Sequence, residues 1–221
     1  MKTRVIYLPI SIPDSEGLED LRAELGLEGK FVYGMHQRAN DGIYSHIPLA
    51  AYHQMQTEDT AFVLLGGSPK YRAQAELLEL NNFHQLPETG DMEKVCRFLK
   101  TLDVYTHGRA DGENNSQSIA EAMAFGKPVV SHFAQANGHV ETIGNGGLVV
   151  QSIEDYACQL RNLMLDENFR NTKAVNAAER FKIYYDFKAN IGRFEELFEQ
   201  VYEEHKPVVA DDEWLNEWLD E

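Results

Sequence analysis

The feature that most constrains this chain is an alternation. From residue 31 onward, short β-rich runs (31–33, 61–65, 83–85, 103–106, 128–131 and 148–150) are separated by amphipathic stretches of helical period (47–55, 71–80, 92–102, 116–125 and 139–143). Parallel strands need a long crossover, usually a helix, so this spacing reads as an α/β fold built on a parallel sheet. The runs are nearly all apolar, the pattern of strands covered by helices on both faces. Gly34, Gly66-Gly67, Gly108 and Gly126 are read as turns at element ends. In such sheets a ligand lies beyond the carboxyl ends of the strands. The candidate loops therefore start at Gly34, Gly66, Leu86, His107 and Ser131.

After Val150 the pattern is helical over 153–166, 168–184 and 187–205, and Pro207 stops the last stretch. The acidic tail places Trp214, Leu215, Trp218 and Leu219 at helical spacing, read as a helix packed on the domain. Before Phe31 stand one strand-like run, 4–8, and one helical run, 18–25. The expected division is a lead-in or interdomain-type segment over 1–30, the sheet domain over 31–185, and C-terminal helices with the tail over 186–221. With 43% apolar residues a core of this size can be buried.

Charge excludes one class of partner. Asp and Glu number 36 against 20 Lys and Arg, a net charge of −16. That field repels DNA and RNA, yet a helix N-terminus with one or two arginines still holds a small phosphate ligand. No apolar run reaches the length of a membrane span, and 5–8 is too short for a signal segment. The expectation is a cytoplasmic protein. Cys96 and Cys158 fall in helical patterns and are read as reduced core thiols. The histidines do not cluster at ligand spacing, so no metal site is expected. His36 and His107, at the mouths of the first and fourth strands, are read as hydrogen-bonded loop residues.

The stretch 111–130 carries the chemistry. Glu113 sits in the loop after the fourth strand. Ser116 is a natural helix N-cap, and Glu121 falls inside the helix between Ala120 and Ala122. Backbone N–H groups from Asn115 to Gln117 can bind a diphosphate. A carboxylate within the helix can accept both hydrogen bonds of a ribose diol, and the loop carboxylate can reach a sugar ring. No lysine near Glu121 in sequence would pay for burying it as a structural ion, which favours a functional role.

Two glutamates separated by seven residues, the second followed by Ala-Met-Ala-x-Gly-x-Pro-Val-Val, resemble the signature of retaining glycosyltransferase family 4. Gly138-His139-Val140-Glu141, Gly146-Gly147-Leu148-Val149-Val150 and the Leu-x-Asp-x-x-x-Arg ending at Arg170 resemble that family's downstream segments. The likeness runs from 31 to about 170. It implies the GT-B fold, two Rossmann-like domains with the active site between them, of which this chain carries the donor half. By position, Glu121 would hold the donor ribose and Glu113 the transferred sugar near the reacting carbon. Asn114, Asn115, Ser116 and Gln117 would offer backbone amides, Gly34 would open the first ligand loop, and the base would lie against Leu86-Pro87-Glu88-Thr89. Where the family has Arg and Lys facing the diphosphate, this chain has Met35 and Asp41. Arg38 is the natural substitute and is placed in the catalytic set, with Lys70 and Arg109 as further cations.

The implied function is transfer of a sugar from a nucleotide-diphosphate sugar to a glycan or other hydroxyl acceptor, with retention and without a required cofactor or metal. Only some 30 residues precede the first strand of the donor unit, too few for a second Rossmann-like unit. The expectation is an acceptor half supplied by another domain, a partner subunit or a homo-oligomer. Two alternatives stay open: a non-catalytic nucleotide-sugar-binding subunit, and an epimerase or phosphorylase on the same fold. The ligand loops offer no lysine for the pyridoxal phosphate that a phosphorylase needs.

Overall fold

Each apolar run becomes a strand, and each strand is longer or shorter than its run by a few residues at most. The structure, a computed structural model, describes residues 7–205. Among these the strands are Phe31–Gln37 (β1), Thr60–Gly66 (β2), Phe83–Leu86 (β3), Val104–Thr106 (β4), Gly112–Glu113 (β5), Val129–His132 (β6), Ala136–Asn137 (β7) and Gly147–Val150 (β8). The helices are Arg22–Leu25 (α1), Ile47–His53 (α2), Lys70–Leu77 (α3), Met92–Thr101 (α4), Gln117–Ala124 (α5), Gly138–Ile143 (α6), Ile153–Leu165 (α7), Glu167–Tyr184 (α8) and Phe187–His205 (α9). The main sheet runs β3-β2-β1-β4-β6-β8, every neighbour parallel.

Sheet growth runs outward in both directions from β1 and β4. Right-handed crossovers therefore put α2 and α3 on one face and α5 on the other. Helix α7 packs beside α2, and α8 packs beside α5. The sheet is thus covered on both sides, and all of β2 is buried. Caps stand where short polar side chains precede apolar periods: Asp91 accepts from Glu93 N–H at 3.0 Å, Ser152 from Asp155 N–H at 3.0 Å, and Asp166 from Phe169 N–H at 2.9 Å.

Two sequence readings change, those of Gly34 and Cys158. Gly34 does not end β1; the strand continues to Gln37, and Gly34 pairs with Val63 and Tyr105. A Cβ there would lie 2.3 Å from the Val63 carbonyl oxygen and 2.7 Å from a Leu102 methyl. The glycine serves close strand packing and is absent from the ligand loop. The lead-in packs on the sheet domain: Leu27 is fully buried in the core, and Leu21 N–H donates to the Thr101 hydroxyl at 2.9 Å. Ile10 N–H also reaches Tyr185 O at 2.6 Å, tying the lead-in to the end of α8. Of the two thiols, Cys96 is buried but Cys158 is exposed, on the outer side of α7. Trp214 and Trp218 lie outside the described residues.

Strands β5 and β7 form a separate parallel ribbon of two residue pairs. Gly112 adopts φ +73°, and a Cβ on it would meet Ala136 O at 1.8 Å. Gly138 lies as tightly against Asn114, 2.0 Å from a built Cβ to its carbonyl oxygen. This ribbon holds the loop bearing Glu113 against the start of α6.

Candidate functional site

The direction of sheet growth reverses between β1 and β4, and such a switch point opens a crevice beyond the strand ends. A cleft of about 840 Å³ lies there. Its polar floor comes from the end of β1, the loop after β4 and the first turns of α5. Leu65, Met92 and Val95 form an apolar wall, with Glu88 and Thr89 at its rim.

Glu121 lies on the floor and is only 5% exposed. One carboxylate oxygen is 2.7 Å from His36 Nε2, and the other accepts from Gln117 Nε2 at 2.9 Å. Gln117 is one turn earlier on α5, whereas His36 comes from β1, 85 residues away in sequence. The partner that sequence reasoning found wanting is therefore a histidine brought in by the sheet. Ser118, on the same turn as Gln117, also lines the cleft and was not singled out; its helical spacing from Glu121 is the signal that marks it.

Glu113 is largely buried, and its neighbours decide its charge. Burial pushes its pKa up, but His107, the Ser116 hydroxyl and Arg109 outweigh that, and the carboxyl is held below its ordinary value. Arg109 donates to one oxygen, Oε1, at 3.1 Å. The same guanidinium binds both oxygens of Asp111, at 3.0 and 2.8 Å. Arg109 is thus occupied by two carboxylates and organises the loop instead of offering a free charge to a diphosphate. Glu113 Oε2 is buried without a partner.

His107 stands at the end of β4, 2% exposed. Its Nδ1 is 2.8 Å from Ser131 Oγ, and its Nε2 is 3.8 Å from Glu113 Oε1, beyond hydrogen-bond range. Its backbone N–H reaches the Tyr156 hydroxyl at 3.0 Å, which in turn donates to Val130 O at 2.6 Å. Behind it His139 packs ring to ring at 5.3 Å and bonds His132 O at 3.0 Å. Burial lowers the pKa of all three, His107, His132 and His139, so they are neutral near pH 7.

The first N–H groups of α5 lack intrahelical partners by geometry, and Ser116 Oγ caps only that of Ile119. Asn114, Asn115 and Gln117 line the cleft beside them, while Ser116 is buried as the cap. Arg38 is exposed at the cleft's edge, and among the described residues its guanidinium has no recorded ion pair. Lys70 is not in the lining; it pairs with Asp41 at 3.7 Å and lies over the Tyr44 ring. Nor do Leu86 and Pro87 line the cleft. Their loop reaches it only through Glu88, which accepts from Ala39 N–H at 2.8 Å, and Thr89. Among the described residues no group of three acidic, His or Cys side chains is arranged to hold a metal ion, and no helix is long and apolar enough to cross a membrane.

The model of the family of glycosyl transferases group 1 matches residues 19–180, most of the chain and all of this site. The chain belongs to that family. An uncharacterized glycosyltransferase of Methanocaldococcus jannaschii, MJ1069, is 26% identical over 124 residues, 55% of this chain and 32% of that protein. The fold matches Anabaena HepE solved in complex with UDP-glucose, with TM-score 0.75 and 23% identity over 89% of this chain and 57% of HepE. It also matches the C-terminal domain of a group 1 glycosyl transferase, LpcC, from Francisella tularensis, with TM-score 0.63 and 18% identity over 82% of this chain and 96% of that one. The chain thus spans about half the length of HepE and a third of the archaeal relative. The chain has the Rossmann-like architecture of one GT-B half, as the two-glutamate signature implies.

Proposed function

We propose that this glycosyltransferase chain binds a nucleotide-diphosphate sugar in the switch-point cleft and supports transfer of its sugar to a hydroxyl acceptor with retention. The observation that carries the proposal is the convergence of Glu113, Glu121 and the open N-terminus of α5 on one cleft. The ribose diol is assigned to Glu121, the diphosphate to the α5 N–H groups and Arg38, and the sugar to Glu113. That HepE was solved with UDP-glucose supports a uridine nucleotide as the first donor to test.

In the proposed reaction the bond between the anomeric carbon and the diphosphate oxygen breaks, and the electron pair stays on the diphosphate. The acceptor oxygen bonds the same carbon on the same face, and its proton passes to the leaving phosphate. The chain's residues stabilise the departing charge; the helix terminus and Arg38 are suited to that without a metal. Closure over the cleft, which excludes water, is assigned to an acceptor-side body: a further domain, a partner subunit or a second copy.

A panel of UDP-, GDP- and ADP-sugars in thermal-shift assays tests the binding step, since a specific ligand raises stability as ln(1 + [L]/Kd). NMR of the product's anomeric proton tests retention. No shift with any member of the panel, or a product of inverted configuration, would refute the corresponding half of the proposal.

A further inference from the structure

Two buried polar atoms at the site are left without partners, and they belong to neighbouring side chains: His107 Nε2 and Glu113 Oε2. Leaving such atoms unpaired is costly, and near a cleft it marks an arrangement that a ligand completes. We propose that His107 is a positioning residue, which holds the Glu113 carboxylate for a hydroxyl of the donor sugar and so governs recognition of the sugar but not of the nucleotide. This rests on the reading of the cleft as a nucleotide-sugar site.

The proton inventory supports it. Nδ1 of His107 is engaged with the Ser131 hydroxyl, and Nε2 faces Glu113 Oε1 at 3.8 Å. An ionised carboxylate on that side favours the tautomer with the proton on Nε2, so the Ser131 hydroxyl donates to Nδ1. His107 presents Nε2 to Glu113 Oε1 from one side, and Arg109 supplies a guanidinium from the other. Both contacts fall on Oε1, and Oε2 is the oxygen left over. Active-site contacts that are long in a free protein often shorten when substrate binds. A sugar hydroxyl donating to Glu113 would complete Oε2 while His107 Nε2–H closes onto Oε1.

The ring has little freedom to do anything else. Tyr156 bonds the His107 N–H, His139 packs on the ring, and the β5–β7 ribbon fixes the backbone of Glu113. His107 and Glu113 both line the cleft, and their unpartnered atoms, Nε2 and Oε2, are buried in the free protein; the carboxylate is the group assigned to the ligand, and His107 acts through it.

Two replacements separate the roles. His107→Asn keeps an amide where Nδ1 meets Ser131 but is too short to reach Glu113. His107→Gln reaches Glu113 with an N–H. Calorimetry with UDP-glucose and UDP, or whichever sugar and parent nucleotide the panel selects, reads the effect. Loss of one directed hydrogen bond should weaken UDP-glucose by about tenfold in His107→Asn and leave UDP within about twofold. His107→Gln should recover most of the loss. In a Glu113→Gln background His107→Asn should cost nothing further, because its partner is already altered. If the Asn variant does not fold, His107→Phe takes its place in the cycle. Equal losses for UDP and UDP-glucose, unchanged binding of both, or additive effects with Glu113→Gln would overturn the inference while leaving the nucleotide-sugar reading intact. No binding of any panel member by the wild type would sink that reading and the inference with it.

Discussion

Glu121→Ala is the sharpest test of the site, because the structure supplies it with a structural role as well as a functional one. In the free protein its two oxygens already bind His36 Nε2 at 2.7 Å and Gln117 Nε2 at 2.9 Å. His36 Nδ1 has no partner, so removing the carboxylate leaves both nitrogens of a mostly buried ring unpaired. An unsatisfied buried group costs about 1–3 kcal/mol, so the variant should lose about 2 kcal/mol of stability even if Glu121 never touches a ligand. In a domain of this size that lowers the melting temperature by about 4–8 °C. The functional role adds a separate loss. Two hydrogen bonds from a ribose diol to a carboxylate should make nucleotide binding weaker by about 1.5–3 kcal/mol, roughly 10- to 150-fold in Kd. Thermal unfolding and calorimetry on the same samples separate the two. Glu121→Gln keeps hydrogen-bonding capacity and shape and should recover much of the stability but little of the affinity. A folded Glu121→Ala protein with lowered melting temperature and unchanged nucleotide affinity would show that the carboxylate exists to partner His36, and the ribose assignment would fall.

Arg38→Ala should weaken a nucleoside diphosphate by about tenfold and a nucleoside hardly at all, since its proposed partner is the diphosphate; equal losses by calorimetry would remove it from the site. Gly34→Ala drives a Cβ into the Val63 carbonyl, and overpacking of that kind should cost about 1–3 kcal/mol or more by chemical denaturation, with no ligand needed to see it. Gly138→Ala pushes on the Asn114 backbone and should misplace Glu113, so sugar-dependent affinity should fall more than affinity for the bare nucleotide. Stability should also fall on acidification. His107, His132 and His139 have folded pKa values depressed below the ordinary 6.5, so the unfolded chain binds more protons as pH drops past 6.5 and the folded state loses ground. Glu113, likewise depressed, adds to the loss only at lower pH, as its carboxyl protonates. Melting temperature measured from pH 8 to pH 5 in high salt, which screens the −16 net charge, should decline below about 6.5; a flat or rising profile would contradict the neutral, buried state of the three rings.

What the sequence by itself determined is what local chemistry encodes. Six apolar runs and the amphipathic stretches between them appear as the strands and helices of the main sheet, because period and burial are written residue by residue. Ser116 is the cap of α5, and Glu113 and Glu121 do line one cleft, because Glu113 lies in the segment after β4 and Glu121 on the helix that this segment leads into. Tertiary structure decided the rest, where the deciding neighbour is far away in the chain. Gly34 looks like punctuation until β2 packs against it at a distance that forbids a Cβ. Arg109 looks like a free cation until the turn brings Asp111 and Glu113 onto it, and of the loop Leu86-Pro87-Glu88-Thr89 only the last two residues line the cleft. His36 and His107, unremarkable loop histidines by sequence, come to lie beside the two glutamates, His36 bonding Glu121 and His107 facing Glu113, because a parallel sheet sets the ends of β1 and β4 side by side. That juxtaposition comes from strand order, which no local pattern of side chains expresses.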